Sequence, residues 1–238
     1  MQTETKTIET RGGQMPVYIA RPDEEPSRAV IVIQEAFGVN DHIEDVTRRA
    51  ASAGYLSVAP HIFHRSGGGV VPYGNMEGVM KHFQVLSDTA VLEDVDATLE
   101  LIHSEGVSDA SVGVFGFCIG GRLTFLAAAE RALGGAVSYY GGGIVTSRSE
   151  AMPSLLGAIL HLRTPWLGFF GDLDKGIPVE QVEQLRDAMK QAPVENEIVR
   201  YPNAGHGFNR DPAPDAYQPD AAADAWKRTL AWFEEHLA

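Results

Sequence analysis

The one cysteine among 238 residues, Cys118, stands in Gly116-Phe117-Cys118-Ile119-Gly120-Gly121. An apolar β-type stretch, Ser111 to Phe115, precedes it, and a helix-forming run, Arg122 to Ala129, follows. A strand, a Gly-x-nucleophile-x-Gly turn and a helix hold a side chain on a sharp bend where it can attack a carbonyl. The glycines have a physical purpose, since side chains beside the bend would collide with the neighbouring strand and helix. A free cysteine also packs well as a small buried hydrophobe, so the thiol needs partners before it implies chemistry. Those partners are a base, and an acid that orients the base. Of the 8 histidines, His42, His61, His64, His82, His103, His161 and His236 lie in helical or loop contexts and read as structural or solvated. His206 differs, because Gly205 and Gly207 flank it on a tight loop that can expose the imidazole to a cleft. Two aspartates compete for the orienting role in Gly171-Asp172-Leu173-Asp174-Lys175-Gly176-Ile177-Pro178. A calcium reading of Asp172, Asp174 and Gly176 lacks the other ligands of an EF-hand loop.

The elements that must position these residues follow from hydrophobic patterning. Thr5 to Glu9 and Val17 to Ala20 read as a hairpin around Gly12-Gly13. The run Ala29-Val30-Ile31-Val32-Ile33 suits a parallel strand buried on both faces. Further strands are expected at 55–59, 111–115, 135–140, 166–170 and 197–201. Helices are expected at 43–53, 75–86, 89–104, 179–190 and 220–236, besides the one after Cys118, with a Gly-rich loop at 66–74. Strands alternating with helices predict a mostly parallel sheet with helices on both faces, and ligands beyond the carboxyl ends of its strands. With the cysteine turn, this is the pattern of an α/β-hydrolase fold, as a single domain over 1–238 and with no large cap. In that fold the acid lies between nucleophile and histidine in sequence. Asp174 is favoured over Asp172, because Gly-x-x-Asp before an apolar-Pro pair carries the acid one turn past the strand end. The oxyanion hole takes one N–H from the residue after the nucleophile, Ile119, and one from the loop after the strand at 29–33, at Ala36. Glu35 places a carboxylate at the same edge of the sheet.

Bulk composition narrows the classes. Hydrophobic residues make up 44% and charged residues 21%, an ordinary globular balance. A formal charge of −13 argues against a nucleic-acid surface, though one arginine can still dominate a small pocket. One cysteine forms no internal disulfide, and no apolar leader or membrane span is seen, so a cytoplasmic location is expected. No phosphate-binding loop or clustered metal ligands appear, so neither cofactor nor metal is expected.

Five segments together resemble the dienelactone hydrolase family (carboxymethylenebutenolidases). They are Gln34-Glu35-Ala36-Phe37-Gly38-Val39-Asn40, residues 116–121, Tyr139-Tyr140-Gly141, residues 171–174, and Ala204-Gly205-His206-Gly207-Phe208-Asn209-Arg210. They arrive in order and at family spacing, over roughly residues 15 to 236. The resemblance implies hydrolysis of a lactone ester through a Cys118–His206–Asp174 triad and a thioester. It implies that Glu35 contacts the thiol at rest and helps generate the thiolate once substrate is bound. It also implies that Arg210 grips a substrate carboxylate, with Phe37 and Tyr140 beside it. The chain departs from the family at two places. The second substrate-binding arginine falls near Glu77, with Lys81 and His82 as nearby substitutes, and Gly207 replaces a polar residue. The expected partner is therefore a small ester or lactone. A general short-acyl carboxylesterase and a non-catalytic thiol sensor are the alternatives.

Overall fold

The computed structural model describes residues 1–238. The chain opens on a hairpin, β1 (Gln2–Thr10) and β2 (Gly13–Arg21), paired antiparallel from Gln2↔Arg21 to Thr10↔Gly13. It is longer than patterning predicts, because backbone ladder bonds continue through polar, exposed residues that carry no alternating apolar signal. The next strands, β3 (Ala29–Ile33), β4 (Leu56–Pro60), β5 (Val112–Phe117), β6 (Gly135–Tyr139), β7 (Trp166–Gly171) and β8 (Asn196–Tyr201), lie parallel to one another. The sheet order is β1-β2-β4-β3-β5-β6-β7-β8. Every residue of β3, β4, β5, β6 and β7 is buried, as strands covered on both faces require. This is the α/β-hydrolase architecture that the sequence predicts.

The helices are α1 (Asp41–Ser52), α2 (Met76–Phe83), α3 (Asp88–Ser104), α4 (Ile119–Glu130), α5 (Val179–Met189) and α6 (Pro219–His236). Their starts follow capping chemistry. Asn40 accepts the Ile43 N–H at the head of α1, and Ser87 accepts the Ala90 N–H at the head of α3. All of α4 except its last residue, Glu130, is buried, which fixes the helix that follows Cys118 against β5 and β6. Inside it, Arg122 is fully buried and forms a two-pronged ion pair with Asp88, 2.5 and 2.9 Å. Residues 140–165, between β6 and β7, carry a 3-10 turn at Leu156–His161 and an isolated bridge between Ser149 and Met152, which sequence patterning leaves unassigned. No helix is long and apolar enough to cross a membrane.

Candidate active site

Cys118 caps the N-terminus of α4 with φ 56° and ψ −117°. Only Tyr140 shares a positive φ among the non-glycine residues. Such a conformation costs on the order of 1–3 kcal/mol and persists only where its surroundings impose it. Here they do. A Cβ on Gly120 would lie 2.4 Å from the carbonyl oxygens of Ile33 and Gln34, and one on Gly116 would lie 2.5 Å from the Gly120 carbonyl oxygen. The two glycines let β3, β5 and α4 approach closely enough to force the bend. The Cys118 N–H donates to the Tyr139 carbonyl at 3.0 Å, which ties the bend to β6.

His206 lies on the loop between β8 and α6, with its ring 5.1 Å from that of Tyr140. Phe208 is fully buried against Tyr140 and Tyr201 and anchors this loop from below. Nδ1 of His206 is 2.6 Å from Oδ2 of Asp174. A carboxylate only accepts, so Nδ1 carries the proton and Nε2 is left for the thiol. Oδ1 of Asp174 accepts the N–H groups of Gly176 at 2.8 Å and Ile177 at 3.2 Å, which sets the carboxylate's orientation. Asp172 faces another way. Its oxygens accept Nε and Nη2 of Arg200 at 2.7 and 2.8 Å. The two aspartates therefore form no shared cation site, and only Asp174 meets the imidazole.

The electrostatics couple the pair. Burial pushes the Cys118 thiol up, but the charge and hydrogen bonding of His206 pull it down further, so it lies below its ordinary value. The charge of Glu35 opposes this, and the N–H of Ile119 assists it. Burial likewise pushes His206 down, while the charge of Cys118 and the hydrogen bond to Asp174 raise it well above an ordinary histidine. Each group thus favours the charged form of the other. A thiolate at a helix N-terminus gains further from the macrodipole.

Glu35 is fully buried at the end of β3. The thiol is its expected contact, yet its side-chain hydrogen bonds run elsewhere. Oε2 accepts Nε of Arg210 at 2.9 Å, and Oε1 accepts Nη2 of Arg210 at 3.0 Å and the Tyr140 hydroxyl at 3.3 Å. The carboxylate gains more from a bidentate guanidinium than from a weakly donating thiol. Arg210, expected to grip a substrate carboxylate, is held against the rings of Phe37 and Tyr73, 5.1 and 5.0 Å from their centroids. Tyr73 lies within the Gly-rich loop, where sequence reasoning assigns it no role, and its hydroxyl accepts from Asn40 at 3.2 Å. Ala36 follows Glu35, and its N–H makes none of the loop and turn backbone hydrogen bonds. Lys81 and His82 do not stand in for a substrate arginine. Lys81 is exposed beside Glu77 at 3.9 Å, and His82 stacks on Phe63 and bonds the Ser66 hydroxyl at 2.6 Å.

Against known proteins, residues 15–237 match the model of the dienelactone hydrolase family. The chain belongs to that family. A Yersinia pestis protein named "Putative carboxymethylenebutenolidase" is 38% identical over 235 residues, 97% of this chain and 87% of the relative. A Bradyrhizobium protein named "Probable 2-oxo-3-(5-oxofuran-2-ylidene)propanoate lactonase" is 32% identical over 245 residues, 100% of this chain and 98% of the relative. A crystal structure titled "Putative Dienelactone Hydrolase" from Klebsiella pneumoniae superposes with TM-score 0.91 at 37% identity, covering 98% of each chain. As a dienelactone hydrolase family member with this fold, the protein is a carboxylic ester hydrolase. Within it, the two aspartates are expected to behave differently. D174N removes the acceptor that fixes the His206 tautomer, and kcat/KM for a p-nitrophenyl ester should fall on the order of 10²–10⁴-fold. D172N breaks only the Arg200 pair and should stay within about threefold of wild type. Comparable losses in both would assign the orienting role wrongly.

Proposed function

We propose that this chain hydrolyses a small, carboxylate-bearing lactone or ester of the dienelactone type through Cys118, His206 and Asp174, by way of a thioester. The observation that carries this reading is the thiol of Cys118, held at positive φ on a helix N-terminus and coupled to an imidazole whose other nitrogen is 2.6 Å from Asp174. The thiolate sulfur attacks the ester carbon, and the carbonyl oxygen gains negative charge between the N–H groups of Ile119 and Ala36. The intermediate collapses as the C–O bond breaks, and the leaving oxygen takes the proton from Nε2 of His206. Nε2 then removes a proton from water as it attacks the thioester carbon. Collapse of the second intermediate releases the acid and restores the thiolate. Asp174 keeps its hydrogen bond to Nδ1 throughout and stabilises the imidazolium.

Arg210 is the proposed anchor for a substrate carboxylate, flanked by Phe37 and Tyr140. Because Glu35 already satisfies this guanidinium bidentately, an arriving carboxylate must compete for it. The same competition changes the charge around Glu35, and with it the opposition Glu35 offers to the thiolate. The Bradyrhizobium relative's name supports an anionic lactone as substrate. The engagement of Arg210 supports a second reading, a general esterase for short neutral acyl groups. Hydrolysis of cis- and trans-dienelactone beside p-nitrophenyl acetate separates the two. A kcat/KM at least about tenfold higher for a lactone is the expected result. Turnover of the acetate alone would establish the second reading.

A further inference from the structure

Every other arginine of the chain bonds a carboxylate or a backbone carbonyl, but the guanidinium of Arg148 makes neither a hydrogen bond nor an ion pair. Its place is nevertheless defined. The backbone around it is held by the Arg148 N–H donating to the Met152 carbonyl at 3.0 Å and by a bridge between Ser149 and Met152. The guanidinium carbon lies 5.4 Å above the ring of Phe83. The methylenes run along bare backbone, since a Cβ on Gly143 would lie 2.6 Å from both Cγ and Cδ of Arg148. A Cβ on Gly142 would meet Ile177 at 3.3 Å and Nη1 of Arg148 at 3.8 Å. Gly142 is two residues past Tyr140, and the Ile177 N–H is one of the donors that orient Asp174. The guanidinium therefore stands against the two loops that build one wall of the catalytic site.

Arg148 opens onto a cavity of about 460 Å³ between the end of α2 and the loop after β6, lined also by Met80, Phe83, Gln84, Ser147 and Met152. No carboxylate lines it. In a chain of net charge −13, an arginine without an acidic partner beside a catalytic wall is a local reversal of the field. An anion reaching Arg210 must displace Glu35, whereas the exposed guanidinium of Arg148 presents its planar fork of N–H donors to solvent with no protein acceptor to displace.

We propose that this cavity receives an anionic end of the ester or lactone, with Arg148 as a binding charge additional to Arg210. The apolar part of the same substrate then lies over Phe83 and Met80. The assignment rests on Cys118 as the nucleophile, because the bound anion places a carbonyl for that thiol. It makes Arg148 a determinant of specificity for anionic over neutral esters, acting on binding and so on KM.

The test compares mono-p-nitrophenyl succinate with p-nitrophenyl butyrate, which match in acyl length and differ in charge. The readout is the ratio of the two kcat/KM values. In Arg148→Ala the ratio should fall about tenfold or more, mainly through KM of the succinate, and Arg148→Lys should recover part of it. Raising ionic strength should lower the wild-type ratio. Lys175→Ala, which removes an exposed cation outside the lining of this cavity, serves as the control and should hold the ratio. An unchanged ratio in Arg148→Ala, or an equal fall in Lys175→Ala, overturns the proposal while leaving the thiol mechanism standing. Wild-type turnover of both esters by Cys118→Ala would remove the thiol mechanism itself, and the proposal with it.

Discussion

Cys118→Ala is expected to lower kcat/KM for p-nitrophenyl butyrate by about 10³-fold or more, with little change in thermal stability. The side chain is small and only part-buried, so its removal leaves a minor cavity, yet it carries the one thiol of the chain, on the strained turn. A general base at His206 without the thiol could still activate water weakly, which sets the residual rate. The same thiol should show its environment in solution. Because His206 holds it below the ordinary cysteine value, alkylation by iodoacetamide should inflect at a lower pH than for a free cysteine. The sign follows from the partner: a raised imidazole stays protonated over the range where the thiol ionises, so thiolate appears early as pH rises. In His206→Ala burial and Glu35, which raise the thiol, outweigh the Ile119 N–H that lowers it, and the inflection should move upward. An unshifted inflection in that variant would separate the two groups.

The largest loss of stability is expected at Glu35. Its carboxylate is fully buried and the Arg210 side chain is 12% exposed, so Glu35→Ala strands a buried guanidinium and leaves the Tyr140 hydroxyl without its acceptor. Breaking one side of a buried ion pair costs about 3–5 kcal/mol. Urea unfolding of Glu35→Ala should show that loss. The double variant Glu35→Leu with Arg210→Met should recover most of it, since replacing both partners removes the unpaired charge. A single variant as stable as wild type would mean that water already screens the pair. Glu35→Gln keeps the shape and one acceptor, and should fall between the two.

The pattern of legibility follows from the range of the forces involved. Cys118 and its glycines were readable because the strained turn is local: φ 56° at one residue and two close approaches are encoded within six positions. His206 was readable for the same reason, through Gly205 and Gly207. The choice of Asp174 over Asp172 rested in sequence on a short motif, but in the molecule it depends on where Arg200 of β8 points its guanidinium. The Glu35–Arg210 pair joins residues 175 apart in sequence and could not be inferred from either neighbourhood. Each residue is recognisable as a candidate from its own motif, while their pairing is not. Nothing beside Arg148 and Tyr73 in sequence marks them. Their significance arises from an absent carboxylate in one case and an aromatic contact to Arg210 in the other. The β-hairpin is legible in sequence but extends beyond its side-chain pattern, since ladder bonds carry no side-chain signature.

The most direct test of the thiol mechanism is to quench the enzyme in acid during turnover of p-nitrophenyl butyrate and map the peptides by mass. The account predicts a butyryl group on the peptide that carries Cys118, lost on treatment with hydroxylamine and absent from Cys118→Ala. Steady hydrolysis with no acyl group on Cys118 at any quench time, or an acyl group on another side chain, would contradict it.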